Sequence, residues 1–355
     1  MKSRERIFKA VKGKKTNKTD FVPAAPYIGN YGAALMKVPV SLYNTNGKLM
    51  AETQLRAYEL HKLDAIVAQS DNYYIAEGFG VKINQPYNET PSVIKNAIDS
   101  LDKIDLLSKI LDPYKDGRMA VYIEAVSVLK NELKDSVAVR GCGTGPFSLA
   151  GHLIGMENLI VEIALCESED DENARQKIFK LMSITTEALI KFSLAMLQAG
   201  VDIVTCGDSA ASPDLVPASY YLKYILPFEQ RFFDAVNSEC KKRGAVSLLH
   251  ICGNTTSILP YMAKSGADIL EIDHKVDIAF ARDIVGDDIC LMGNLDPVSA
   301  LLQGTPESVY EESVSCINKA GKNGRFILGS GCEVAPATPL ENIIALKSAA
   351  RDYKY

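Results

Sequence analysis

The 355-residue sequence predicts a (β/α)8 barrel (a TIM barrel) in one domain spanning residues 1–355. Three observations carry this prediction. Short apolar runs alternate with amphipathic helical stretches along the whole chain, which is the pattern of parallel βαβ units. There are eight such runs, at 21–25, 65–69, 137–140, 202–206, 246–250, 269–272, 289–292 and 326–329. No low-complexity segment, charge block or Pro/Ser-rich linker divides them. Continuous apolarity, rather than alternation, fits strands buried on both faces, and eight units in one domain close a barrel. A doubly wound open sheet is the weaker alternative, because no glycine-rich dinucleotide fingerprint follows the first run.

Taken in order, the helix expected at 3–11 precedes the first strand and caps the barrel floor. A helix at 48–63 leads into the second strand. The long interval 70–136 holds two extra helices, at 91–98 and 113–133. Gly141-Cys142-Gly143-Thr144-Gly145-Pro146 follows the third strand. It reads as a tight βα loop on the rim, with Gly143 the candidate for backbone contact with a cofactor. Helices at 173–199, 222–243 and 307–320 complete the pattern.

Composition narrows the function. With 47% hydrophobic and 23% charged residues and a net charge of −5, the chain reads as a globular enzyme rather than a nucleic-acid binder. No apolar run approaches the roughly 18 residues of a membrane span. The opening Met1-Lys2-Ser3-Arg4-Glu5-Arg6 lacks the apolar core of a signal peptide. The expectation is a cytoplasmic enzyme with neither nucleic-acid nor membrane partners. The eight cysteines form no regular framework and read as reduced thiols. Cys166, Cys206, Cys240, Cys290 and Cys316 fall in helical or apolar stretches, as small buried side chains do.

In barrel enzymes the chemistry sits at the C-terminal ends of the strands. Five successive strand ends here are polar. They carry Gly207-Asp208-Ser209, then His250 and Cys252, then Glu271, Asp273 and His274, then Asn294 and Asp296, then Cys332 and Glu333. His250 and Cys252 are two apart, so on an extended strand end they share a side. Cys332, 80 residues beyond Cys252, completes a set of one imidazole and two thiols. A structural zinc takes four protein ligands, whereas three leave the open position that catalysis needs. Glu271, Asp273 and His274 are candidates for a fourth ligand that substrate displaces, with Asp273 taken first. Asp208 and Glu333 are candidates to orient His250 or shape the pocket, although Asp208 is also placed to cap the following helix. Asn294 is a candidate for cofactor contact. His61 and His152 read as solvated or structural. With Cys252 and Cys332 as thiolates and His250 neutral, the charge of Zn2+ is offset, so such a site would be uncharged before a substrate arrives.

The chain resembles the uroporphyrinogen decarboxylase superfamily. Within it, the resemblance is to the zinc-dependent methylcobamide:coenzyme M methyltransferases. It covers essentially the whole sequence: Arg4-Glu5-Arg6, Ala10-Val11, Gly13-Lys14 and Pro23 at the start, Tyr224-Ile225-Leu226-Pro227-Phe228, and Gly293-Asn294-Leu295-Asp296-Pro297. The most specific elements are His-x-Cys with a distant Cys, met by His250, Cys252 and Cys332, and the tail from Cys332 to Asn342. The resemblance implies a barrel, a catalytic zinc, a transiently docked corrinoid protein as methyl donor, and a small thiol such as coenzyme M as acceptor. The decarboxylases carry an arginine-rich motif after the first strand. Here that place reads Pro26-Tyr27-Ile28-Gly29-Asn30-Tyr31, with no arginine for propionates. The competing readings are a metal-free decarboxylase, a corrinoid-linked O- or N-demethylase, and a binder without turnover.

Overall fold

The computed structural model describes residues 1–13 and 19–353, so Lys14 of the opening motif lies outside the described residues. Seven parallel strands form one curled sheet: β1 (Ala65–Ala68), β4 (Ala138–Gly141), β5 (Ile203–Gly207), β6 (Val246–Ile251), β7 (Ile269–Ile272), β8 (Cys290–Leu295) and β9 (Phe326–Ser330), in that order. Nearly every residue in them is buried, which is why each reads as an unbroken apolar run.

The eighth stave differs from the expectation of a full strand at 21–25. Only a parallel bridge, Ala24 with Leu328, remains. Leu328 N donates to Pro23 O and Ala25 N to Leu328 O, each at 2.8 Å, while Asp64 N donates to Ala24 O at 2.8 Å. The segment therefore sits between β9 and β1 and closes the ring. Pro23 and Pro26 have no N–H to give, so the ladder cannot extend.

The helix Ser3–Lys12 occupies the floor as expected. Its Ile7, Ala10 and Val11 join a core cluster with Ala65, Ala138, Ile203, Val246, Ile269, Cys290 and Ile327, one layer of the barrel interior. Arg4 on the same helix pairs with Asp202 at 2.7 Å, and Arg6 pairs with Asp20 and Asp64. A charged network at this end serves stability, leaving the opposite rim for chemistry.

The outer helices follow the predicted spans with local corrections. Gly47–His61 is capped by the Asn46 side chain, and Glu172–Ala199 by Asp171. Leu226–Arg243 starts later than expected because Pro227 needs the N-terminal turn, and a π-helical turn, Tyr221–Ile225, precedes it. Met119–Leu133 replaces the longer helix expected from 113; Gly117 breaks the chain there with φ +62. The helix expected at 91–98 is instead strand β3 (Val93–Lys95), paired antiparallel with β2 (Lys82–Ile83). Val93 and Ile94 are β-branched, which favours extended backbone. The Asn84 side chain accepts from Ser92 N at 2.6 Å and ties the hairpin loop. Among the described residues no single helix is long and apolar enough to cross a membrane. All eight cysteines are unpaired thiols.

Candidate metal centre

His250 and Cys252 lie at the C-terminal end of β6, and Cys332 lies two residues past β9. One ligand atom from each falls within 4.8 Å of the others, a group able to hold a metal ion. Cys252 Sγ is 3.2 Å from His250 Nε2 and 3.9 Å from Cys332 Sγ. A tetrahedral zinc with ordinary Zn–S and Zn–N bonds would separate two sulfurs by about 3.8 Å and a sulfur from a nitrogen by about 3.6 Å. The three donors therefore stand close to the spacing that zinc requires, and their types match its preferences.

The imidazole is oriented for this. Its Nδ1 lies 3.1 Å from the backbone carbonyl of Glu271. A carbonyl only accepts, so Nδ1 carries a proton and Nε2 is the ring nitrogen turned toward the sulfurs, free to bind a metal once its own proton leaves. Strand register puts Glu271 there, since His250 pairs with Glu271 across β6 and β7. Burial alone would lower the pKa of His250, but the Cys332 hydrogen bond and the Glu271 charge outweigh it and raise His250 to about 9. The hydrogen bond from Cys332 lowers the Cys252 thiol pKa, and the same bond raises that of Cys332.

Beneath the cluster lies a buried ion pair. Arg140, on β4, donates to both carboxylate oxygens of Glu271 at 2.6 and 2.7 Å, and to Thr205 Oγ1 at 3.2 Å. Its guanidinium lies over the Tyr27 ring, 4.5 Å from the centroid. Burial pushes the Glu271 carboxyl up, yet Arg140 holds it below its ordinary value.

These donors open onto a cavity of about 210 Å³ at the strand ends, which Gln69, Arg140, His152, Ser209, Glu271 and Glu333 help to line. This volume is below the roughly 300–1,000 Å³ of drug-sized ligand sites. It admits a small molecule, and a macrocycle must approach from outside.

Several expected site residues lie elsewhere. Asp273 does not join the ligand group; its oxygens accept from Gly253 N and Lys275 N, both at 2.9 Å, and shape the loop after β7. His274 lies 3.1 Å from Asp273 and 3.6 Å from Asp296, in a separate cleft shared with Asn294. Asn294 is a strut there, donating to the carbonyls of Asp273 and Val276. Asp208 neither reaches His250's ring nor caps the following helix. Its carboxylate accepts from Phe147 N and Ser148 N, at 3.1 and 2.6 Å, and caps the helix Pro146–Ile154, some 60 residues earlier in the chain. The orienting role expected of Asp208 or Glu333 falls to Glu271.

Gly143 lines the cavity, but packing already requires a glycine there: a Cβ would stand 1.8 Å from Thr205 O. Glu333 lines the cavity too; its Oε1 accepts from Asn30 N at 2.7 Å, and burial raises its pKa to about 7. His152, expected to be structural, lines the same cavity, whereas His61 bonds Tyr31 OH at 3.0 Å. Arg140, the arginine expected near the mouth from its place at the end of the third strand, lines the cavity, and the closed barrel also brings Gln69 and Tyr27 there.

Comparison with known proteins gives consistent results. The uroporphyrinogen decarboxylase (URO-D) family model matches residues 2–353. A methylcobamide:CoM methyltransferase of Methanosarcina acetivorans is 31% identical, covering 78% of this chain and 76% of its own. A uroporphyrinogen decarboxylase of Carboxydothermus hydrogenoformans is 28% identical, covering 83% and 80%. A solved methyltransferase structure from Methanosarcina mazei superposes with a TM-score of 0.83 at 26% identity, covering 99% and 98% of the two chains.

Proposed function

Since the chain belongs to the uroporphyrinogen decarboxylase family, we propose that it is a methyltransferase that moves a methyl group from a methylated corrinoid, carried by a partner protein, to a small thiol. The observation that carries this reading is the His250–Cys252–Cys332 group, three donors at zinc spacing facing a small cavity. The printed names of relatives, methylcobamide:CoM methyltransferases, supply the reaction class. The decarboxylase reading finds less support. Among the described residues Arg140 is the one arginine lining the cavity, and it is bound to Glu271 through both terminal nitrogens, so it is not free for substrate carboxylates.

His250, Cys252 and Cys332 would hold zinc. When bound, the metal supplies a Lewis acid that lowers the pKa of a substrate thiol and presents its sulfur. The protein's own groups do the rest. The Glu271 carbonyl fixes the His250 ring, and the Arg140–Glu271 pair keeps the floor of the site neutral. The Cys252 and Cys332 thiols give up their protons as they take up metal. The cavity would hold the thiol and leave the corrinoid at the mouth, where the S–CH3 bond forms as the Co–CH3 bond breaks and the corrinoid leaves as Co(I). A docked donor protein is then a transient partner.

The test is metal quantitation on wild type and Cys332→Ala, alongside methyl transfer from methylcobalamin to a thiol. The reading expects about one zinc per chain, with zinc and activity lost together in the variant. A zinc-free enzyme at full activity would overturn it.

A further inference from the structure

The two ligand sulfurs have different surroundings. Among the described residues, Cys332 Sγ finds hydrogen-bond partners only within the ligand group, namely Cys252 Sγ at 3.9 Å and the His250 ring. Cys252 Sγ has a partner outside the group, Ser209 Oγ at 3.2 Å. That is the one hydrogen bond of the Ser209 side chain among the described residues. The loop after β5 aims this hydroxyl. Asp208 N donates to His250 O at 2.8 Å, which pins the loop to the strand that carries both ligands. The Asp208 carboxylate accepts from Phe147 N and Ser148 N, and Ala210 N donates to Ser148 Oγ at 3.0 Å. Ser209 is thus held through both neighbours, and it lines the cavity.

In the free thiol, Cys252 donates to Ser209 Oγ. A thiolate has no proton to give, so once Cys252 holds a metal the direction reverses and the serine hydroxyl donates to sulfur. A hydrogen bond to an anion is stronger than a neutral one, and it draws charge from the sulfur. Thiolate nucleophilicity falls with basicity, so the sulfur that accepts this bond attacks more slowly. Selectivity depends on that difference. Cys252 and Cys332 line the cavity that an acceptor thiol would enter, so protein sulfurs and substrate sulfur would face the same methyl group. A cysteine that took the methyl would become a neutral thioether and lose the thiolate that metal binding uses.

We infer that Ser209 is a positioning residue that guards Cys252: its hydroxyl keeps that sulfur a metal ligand and a poor nucleophile, so that the methyl group goes to the bound thiol and not to the protein. The reaction it suppresses is self-methylation. In that reaction the Cys252 S–CH3 bond forms as the Co–CH3 bond breaks, and the corrinoid leaves as Co(I). The inference rests on the thiol-methyltransferase reading and adds to it a residue that selects among sulfurs.

The test reads sulfur reactivity with and without a corrinoid. Zinc-loaded wild type, Ser209→Ala and Ser209→Thr are treated with limiting iodoacetamide. Labelling of Cys252 and Cys332 is measured by mass spectrometry of the digested chain, with zinc content measured on the same samples. The other six cysteines are buried, so the label reports on these two. A hydrogen bond to a charged group, scaled by a nucleophilicity slope of about 0.4–0.5, gives roughly a three- to tenfold effect. The ratio of Cys252 to Cys332 labelling is therefore expected to rise at least threefold in Ser209→Ala at unchanged zinc content. Ser209→Thr keeps the hydroxyl and returns the ratio to the wild-type value. With methylcobalamin and no acceptor thiol, Cys252 takes up methyl at least threefold faster in Ser209→Ala than in wild type. An unchanged ratio, a ratio that shifts only as zinc is lost, or a Ser209→Thr that behaves as Ser209→Ala overturns the proposal. If the ratio shifts while methylcobalamin methylates neither Cys252 nor added 2-mercaptoethanol, the role of Ser209 stands and the transfer reading falls.

Discussion

Replacing Arg140 by Met tests how the floor of the site is held together. Arg140 and Glu271 are 5% and 2% exposed, and they form a two-point ion pair. Removing one member of a buried pair costs roughly 3–5 kcal/mol, because the other charge is left without compensation. At about 2.1 cal/mol/K of unfolding entropy per residue, that penalty lowers the melting temperature of a chain this long by about 4–7 °C.

The pH dependence identifies the cause. In wild type, Glu271 is held below its ordinary range. Its contribution is therefore present above the unfolded value near 4.3 and is lost as pH falls through the lower folded value. In Arg140→Met, the burial of Glu271 is opposed by the His250 charge alone, and its folded pKa moves up. The variant then carries a penalty at neutral pH that fades as pH falls toward the unfolded value. The stability gap is widest near pH 7–8 and narrows toward pH 4.5, read by thermal unfolding of the zinc-free protein across that range. In Arg140→Met/Glu271→Leu most of the lost stability returns, since replacing both partners by apolar groups removes the orphaned charge. A gap that is the same at every pH, or a double variant no more stable than the single, would refute the reasoning.

Zinc affinity is predicted to weaken as pH falls. His250 titrates at about 9 without metal and must release its proton to bind, so a chelator competition should show at least a tenfold loss per pH unit below that value; a flat profile rejects the imidazole as a ligand. Gly143→Ala drives a Cβ to 1.8 Å from Thr205 O, so the backbone must shift, at a cost of about 1–3 kcal/mol or more in urea unfolding. Unchanged stability there would mean the loop has room. Asp208→Ala removes the cap from Pro146–Ile154 and should cost about 1–2 kcal/mol while leaving zinc content at wild-type level. Loss of zinc at unchanged stability would return Asp208 to the metal centre.

The barrel was legible because strands buried on both faces leave continuous apolar runs, and the His250/Cys252 pair because a spacing of two on a strand end places both side chains together. Contacts that depend on register or closure were not legible. Glu271 serves His250 only because β6 and β7 pair those two residues, and Arg140 reaches Glu271 from 131 positions away. Asp208 reads from sequence equally as a support for His250 and as a cap for the helix after it, yet its acceptors serve a helix some 60 residues earlier. The segment 91–98 shows the limit of periodicity in short stretches. Three ladder residues and one Asn84 side chain decide its conformation, and no pattern within the segment records them.

The position of Glu271 settles a problem of charge that the ligand set alone leaves open. An imidazole that must present Nε2 needs an acceptor at Nδ1, and a free carboxylate would serve. It would also add a negative charge beside two thiols that, once deprotonated, already balance a divalent ion. The structure separates these effects. The Glu271 backbone carbonyl accepts the Nδ1–H hydrogen bond at 3.1 Å, while the carboxylate of the same residue pairs with Arg140. His250 is therefore oriented by a dipole, and the charge of the Glu271 carboxylate is offset by Arg140. With zinc held by the three donors, the next anion to enter would be the substrate's own sulfur, and the excess negative charge would reside on the atom that must attack. Arg140 is thus a positioning residue that acts through Glu271, and removing it should weaken zinc binding by roughly 10–100-fold, the range seen when groups supporting metal ligands are lost.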